Sequence, residues 1–449
     1  LLFYSGGPQS HLARFSILCG PSRKRVVVRQ PNQNNAPPAQ KHSPLNGDVR
    51  LMKEKQPFVA QVEEWKHGCW YHSTSIFAKS LSELLEKLRP LTSEQCFDST
   101  PDMSLPQRPF WAGAFAYDMV QWTLPLQLQN LPDEGEILTI LWLVERIAVH
   151  DKAKDMISTH TLSKDTWGQD ICQNMTPESL LQTLSKPPAS IETSSMNDEQ
   201  HERAIEAIRE SIRAGQMYQV NIGRWWSGKI REHPRKIFQR LNEVNPAPFS
   251  AYLVAPDLGF SLVCSSPESL LKCDGESVFT SPIKGTRPRG ETSTHEEELR
   301  IEMVNDEKER SEHRMLVDLM RNDISSVSKI GSVKVERFDV EAYSNVQHLV
   351  SHLSGVLGDG LTGIDALQAV FPGGSITGCP RTVVCSAIDE LEQRPRSFWT
   401  GSIGWIDLTT GAGSWNILIR TLIARKIRGQ WHADVAAGGG ITIGSHPKT

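Results

Sequence analysis

Two periodicities alternate along this chain of 449 residues. Ala204, Ile205, Ile208 and Ile212 recur at helical spacing. Asn197 followed three residues later by Gln200 is a capping-box signal, and Gly215 is a stop. Together they predict one amphipathic helix. Short apolar runs at Met217–Ile222, Phe249–Val254, Phe260–Cys264 and Ser277–Phe279 read as strands. The charged amphipathic stretch from His295 to about Asp323 predicts a single long helix. Val333–Phe338 and Tyr343–Leu357 are again strand-like, and a helix follows a glycine-rich turn around Thr382–Glu392. Residues 399–436 alternate as antiparallel strands do, with turns at Gly411 and Gly429. Strands and helices are interspersed without a strict βαβ repeat or a short-period internal repeat. The predicted class is a mixed α+β layered fold.

Two polar stretches interrupt the pattern. Residues 29–48, rich in Pro, Asn and Gln, read as an exposed loop, and residues 184–200 as a linker. A boundary near 195 divides the chain into an N-terminal region, 1–194, and a C-terminal region, 195–449. Hydrophobic residues make up 39% and charged residues 22%, a globular composition. A net charge of −4 gives no electrostatic case for nucleic acid or an anionic membrane. No apolar run approaches the roughly 20 residues that span a bilayer. The eight cysteines show neither metal-site pairing nor disulfide density, which points to reduced thiols and a cytoplasmic location. The chain starts on Leu1 rather than Met, with no visible signal peptide and with room for an upstream piece.

The candidate chemistry lies in the C-terminal half. Lys284, in Pro282-Ile283-Lys284-Gly285-Thr286, stands sixteen positions after Glu268. A lysine can act as a nucleophile once burial or a neighbouring cation lowers its proton affinity. A buried glutamic acid can protonate a leaving hydroxyl. Lys284 in a Pro/Gly turn is equally an exposed loop residue. Glu309 and Glu312, three apart on a predicted helix, offer two hard carboxylates on one face, which suits Mg²⁺; a solvated charged face has the same spacing. Gly373-Gly374-Ser375-Ile376-Thr377-Gly378 before Pro380 offers backbone and hydroxyl donors to an anion, or is an ordinary turn. Arg420, on an apolar strand, requires an anionic partner from the protein or from a ligand. Gly438-Gly439-Gly440 lets a flat ligand approach the backbone, or forms a flexible turn. His348 in an apolar strand is by default a satisfied core residue.

Seven ordered blocks resemble the chorismate-utilising enzymes. They are Tyr218–Asn221, Ser266–Glu268, Pro282–Thr286, Lys308–His313 continuing to Val317–Asp323, Val346–Val350 with Phe371–Pro380, Asn416–Thr421 and Ala436–Gly440. Together they span about residues 197–445. The N-terminal half is similar only loosely, through Ala13–Ser16 and Gly113–Asp118. The resemblance implies a β-sheet sandwich core flanked by helices, with Lys284 and Glu268 as catalytic groups. It also implies Mg²⁺ on Glu309 and Glu312. Thr286, His348, Thr377, Arg420 and Gly438, Gly439 and Gly440 would bind chorismate. Some members hold tryptophan in the N-terminal region, and the neighbours of such a pocket here would be Ser5, Phe15, Pro246 and Phe249.

Two positions separate branches of the family. Members that add water carry Lys where this chain has Gln219, and anthranilate synthase large subunits usually read Pro-Ile-Ala-Gly-Thr where this chain has Lys284. Gln219 with Lys284 resembles component I of aminodeoxychorismate synthase. That resemblance implies amination of chorismate to 4-amino-4-deoxychorismate through a covalent Lys284 intermediate, on the route to p-aminobenzoate and folate. The ammonia would come from a glutamine amidotransferase partner. The alternatives are anthranilate synthase component I and a truncated, non-catalytic chorismate- or amidotransferase-binding homologue. The second arises because the sequence stops at Ser445–Thr449, before a final helix that in the family carries two further metal carboxylates. Weakened metal and substrate binding is expected if nothing follows Thr449. Arg381 also stands where Lys is usual, and Trp405 where Tyr is common.

Overall fold

The computed structural model describes residues 1–7, 13–32, 45, 55–99, 101–162, 165–174, 191–342 and 346–447. Most of the expected loop at 29–48, the Pro-rich part of the expected linker and Tyr343 lie outside these residues. Two large antiparallel sheets dominate, one of 11 and one of 12 strands among the described residues. The first sheet contains Gln219–Ile230, Gln430–Ile441, Thr421–Ile427, Phe260–Ser266 and Phe249–Ala255, and continues through Leu2–Tyr4, Phe15–Cys19 and Arg146–Asp151. The second contains Ile283–Pro288, Val346–Val356, Ser269–Cys273, Gly413–Ile417 and Ser402–Ile406, and continues through Phe110–Phe115, Ile137–Val144 and Lys24–Arg29. Each sheet therefore draws strands from both halves of the sequence. Leu2–Tyr4 pairs with Phe249–Ala255, and Phe110–Phe115 with Ser402–Ile406. A division near residue 195 divides the chain but neither sheet.

The sheets face each other across a core containing Val27, Ala114 and Ile140 from one and Trp225, Leu253, Leu262 and Ile423 from the other. Strands covered on both faces have lost their polar alternation, and all seven residues of Phe260–Ser266 are buried. Outside the second sheet, helices Leu81–Leu88, Glu307–Ser325 and Gly363–Val370 close a second apolar cluster. Beside the first sheet, Asp198–Arg213 and Arg381–Glu392 cover Val220 and Ile222. This is the expected sandwich flanked by helices.

Local signals explain most boundaries. Asn197 and Gln200 form the reciprocal capping box, and Gly215 follows the helix with φ +75°. Gly411 and Gly429 turn between strands with φ +77° and +83°. The single long helix expected from His295 to Asp323 is instead two, Ser293–Asn305 and Glu307–Ser325. Asp306 adopts an extended conformation between them, and its carboxylate accepts from the amide of Glu309. An aspartate that caps a helix N-terminus offers its side chain as the alternative to an intrahelical bond, so charge periodicity alone runs straight through the break.

Candidate active site

The chain crosses between the sheets twice at one place. Phe260–Ser266 gives way to Ser269–Cys273 through Pro267-Glu268, and Gly413–Ile417 to Thr421–Ile427 through residues 418–420. The crossings are tied together: the Ile417 amide donates to the Glu268 carbonyl at 3.1 Å and the Ser265 amide to the Arg420 carbonyl at 3.2 Å. Ladders end at such crossings, so their side chains converge on the seam between the sheets. A cavity of about 610 Å³ lies there. It brings together Glu268, Lys284, Thr286, Glu309, Glu312, His348, Arg420 and Gly438–Gly440.

Glu268 is buried, and burial raises its pKa from 4.5 to about 7, partly offset by Ser375 and Lys284. Its Oε1 has no hydrogen-bond partner among the described residues. A carboxyl group in this state carries a proton near neutrality and can give it to a leaving group. Lys284 sits where the strand Ile283–Pro288 slips register against Val346–Val356, with the next residue, Gly285, at φ +71°. Only glycine takes that conformation readily, and the bulge aims the lysine into the cavity. The Lys284 ammonium lies 2.9 Å from a Glu312 carboxylate oxygen.

His348 is buried, and its Nδ1 donates to the Gly285 carbonyl at 2.8 Å and lies 3.2 Å from the Thr286 hydroxyl. Burial and then nearby Arg420 lower its pKa, outweighing the opposite pull of the Gly285 carbonyl, so the ring is neutral. Arg420 is not the buried strand residue that the apolar run suggested. It is an exposed residue of the crossing with φ +50°, and it lines the cavity. The glycine triplet is a strand rather than a turn: Gly438, Gly439 and Gly440 pair with Gly223, Ile222 and Asn221. A Cβ on Gly438 would meet the Ile222 carbonyl at 2.6 Å, and one on Gly440 the Gln219 amide at 2.7 Å. Gly439 faces open space.

Thr377 does not reach the cavity. Its side chain is fully buried, and its hydroxyl donates to the Gly373 carbonyl at 2.9 Å, holding the turn. The hydroxyl of that turn which lines the cavity belongs to Ser375. Ser5, Phe15 and Pro246 meet around Gly6, but the Ser5 hydroxyl is already committed to the Phe15 carbonyl at 2.6 Å. Neither they nor Phe249 line this cavity. Arg381 pairs with Asp323, and Trp405 packs edge-on against Phe110 in the core. Sequence reading missed Trp399 and Thr400, which complete the wall between two glycine-bearing strands. Buried His313 lies behind the cavity lining, with its Nε2 2.7 Å from the Ser351 hydroxyl and its pKa lowered to about 4 by burial and Lys284. Trp399 carries one weak signal: it fills the space left by Gly223, where a Cβ would lie 2.1 Å from its ring.

Glu309 and Glu312 project from one face of Glu307–Ser325 into the cavity. Two carboxylate donors fit a magnesium ion that keeps most of its waters or shares a substrate oxygen. No cluster of three or more His, Cys, Asp or Glu suited to a metal occurs among the described residues. Glu312 is engaged by Lys284, and Glu309 lies 3.6 Å from Arg287. Seven cysteines, all but Cys172, are free thiols, and among the described residues no helix is long and apolar enough to cross a membrane.

The chorismate binding enzyme family matches residues 54–449, and the chain belongs to that family. It is 38% identical over 348 residues to aminodeoxychorismate synthase component 1 of Bacillus subtilis, covering 75% of this chain and 72% of that one. It is 37% identical over 352 residues to anthranilate synthase component 1 of Thermus thermophilus, covering 76% and 74%. The fold matches the crystal structure of anthranilate synthase component I from Streptococcus pneumoniae with a TM-score of 0.74 at 24% identity, over 98% of this chain and 90% of that one.

Proposed function

We propose that this chain aminates chorismate at C4 to give 4-amino-4-deoxychorismate. The observation that carries the reading is a lysine and a buried, protonatable carboxyl group in one cavity, Lys284 and Glu268, with Gln219 rather than an amine beside them. By the resemblance, members that activate water carry a lysine at the Gln219 position, so this cavity lacks their base.

The Lys284 ammonium, paired with Glu312, first loses a proton to solvent and becomes a free amine. Its lone pair then bonds to ring C2 while the C4–O bond breaks, and Glu268 gives the departing hydroxyl a proton, releasing water. Ammonia next bonds to C4, and the Lys284 nitrogen leaves C2 as a neutral amine. Two allylic displacements thus replace one difficult substitution. Arg420 meets a substrate carboxylate, and neutral His348 orients Thr286. A magnesium ion on Glu309 and Glu312 would neutralise charge on a second carboxylate. A glutamine amidotransferase partner would supply the ammonia.

Anthranilate synthase activity is the second reading, supported by the near-equal identity of the Thermus thermophilus relative. Incubation with chorismate, ammonium and Mg²⁺, followed by mass analysis, separates the two. The expected product has an amino group and keeps the enolpyruvyl ether. Anthranilate with free pyruvate would select the second reading. Isochorismate would overturn both.

A further inference from the structure

A second cavity, about 890 Å³, shares no lining residue with the first among the described residues. Trp225 lines it, Trp399 lines the substrate cavity, and the two rings pack edge to face at 5.5 Å between them. Its lining carries the arginines Arg203, Arg394 and Arg425 and the acids Asp118, Asp133, Glu136, Glu390, Glu392 and Asp434. Arg425 takes both Glu136 and Asp434, and Arg396 takes Glu392. Arg394 is left over. Its guanidinium carbon lies over the Trp225 ring, 4.3 Å from the centroid, it has no ion pair among the described residues, and its buried Nε has no hydrogen-bond partner there. Asp118 also lines the cavity and is 1% exposed. Its Oδ1 accepts from the Arg396 amide at 3.3 Å, while Oδ2 has no partner among the described residues. Burial raises the pKa of this carboxyl group to about 7, so it can donate a hydrogen bond at neutral pH.

We propose that this cavity is a second ligand site, taking a small monocarboxylate with an apolar body. The ligand carboxylate forks onto the edge of Arg394 and bonds to Asp118, and the body packs on Leu131, Ile137 and Leu391. The guanidinium is a planar fork of N–H donors, the geometry that a planar carboxylate matches, and the Arg394 Nε is free to join it. Asp133 also lines the cavity, and its charge works against a dianion such as phosphate.

The test is calorimetric titration of the full chain with benzoate and with its neutral isostere benzamide. Benzoate is expected to bind roughly tenfold tighter or better, the worth of one charge-assisted fork. Arg394→Met should abolish that preference and Arg420→Met should leave it unchanged. Preference that survives Arg394→Met, or disappears in Arg420→Met, would overturn the proposal by locating the carboxylate elsewhere. Should Arg394→Met fail to fold, crystals of the unaltered chain soaked in 4-bromobenzoate decide the matter. Anomalous bromine signal beside Trp225 is expected, and its absence there overturns the site.

Discussion

Glu268→Gln separates the electrostatics of the site from its shape. Glutamine has the size of the protonated acid but cannot ionise. In the folded chain the carboxyl group titrates at about 7, against an unperturbed 4.5. Its folded-state pKa is raised, so the folded state holds the proton more tightly than the unfolded one. Stability from this group is full below pH 4.5 and is lost as pH rises towards 7 and beyond. The whole loss is about 3 kcal/mol, from 1.36 kcal/mol for each pH unit between the two values. Between pH 5.5 and pH 8 the share is about 2 kcal/mol. Urea unfolding of both proteins across that range should show Glu268→Gln gaining about 2 kcal/mol on the parent as pH rises. Its turnover of chorismate should fall roughly 10²- to 10⁴-fold, the usual worth of a positioned general acid. A stability difference independent of pH would refute the argument that Glu268 is a desolvated acid. Full activity in Glu268→Gln would refute its catalytic role.

Two further substitutions probe the walls. Gly223→Ala places a methyl group 2.1 Å from the Trp399 ring; it should cost about 1–3 kcal/mol by urea unfolding and raise KM for chorismate as Trp399 shifts. Arg396→Met leaves Glu392 buried without its cation and removes donors to the Asn221 and Ile376 carbonyls; a loss of about 3–5 kcal/mol is expected, checked by the urea midpoint.

The periodicity of apolar residues sufficed for the helix after Asn197 and for the strands around Gly411 and Gly429, because each burial pattern is local and each end carries its own glycine or cap. It did not show that Leu2–Tyr4 joins Phe249–Ala255, since partners nearly 250 positions apart leave no mark on either strand. Lys284, Glu268, Glu309 and Glu312 were legible from residue type and order. Arg420 was found but given the wrong setting. Its neighbours Leu418 and Ile419 are apolar because the crossing is packed, not because it is a strand. Thr377 and Ser375 are both hydroxyl residues in one turn, and only the fold decides which points inward. The second cavity was invisible because Asp118, Trp225 and Arg394 come from three distant stretches.

The central claim is a covalent bond to Lys284. The full chain is mixed with chorismate and Mg²⁺ without ammonium, quenched in acid, and analysed by intact and peptide mass spectrometry. A mass gain equal to chorismate less one water is expected on the peptide containing Lys284, and it should be absent from Lys284→Ala. Amination that proceeds at full rate in Lys284→Ala, or an adduct that persists in that variant, would contradict the account.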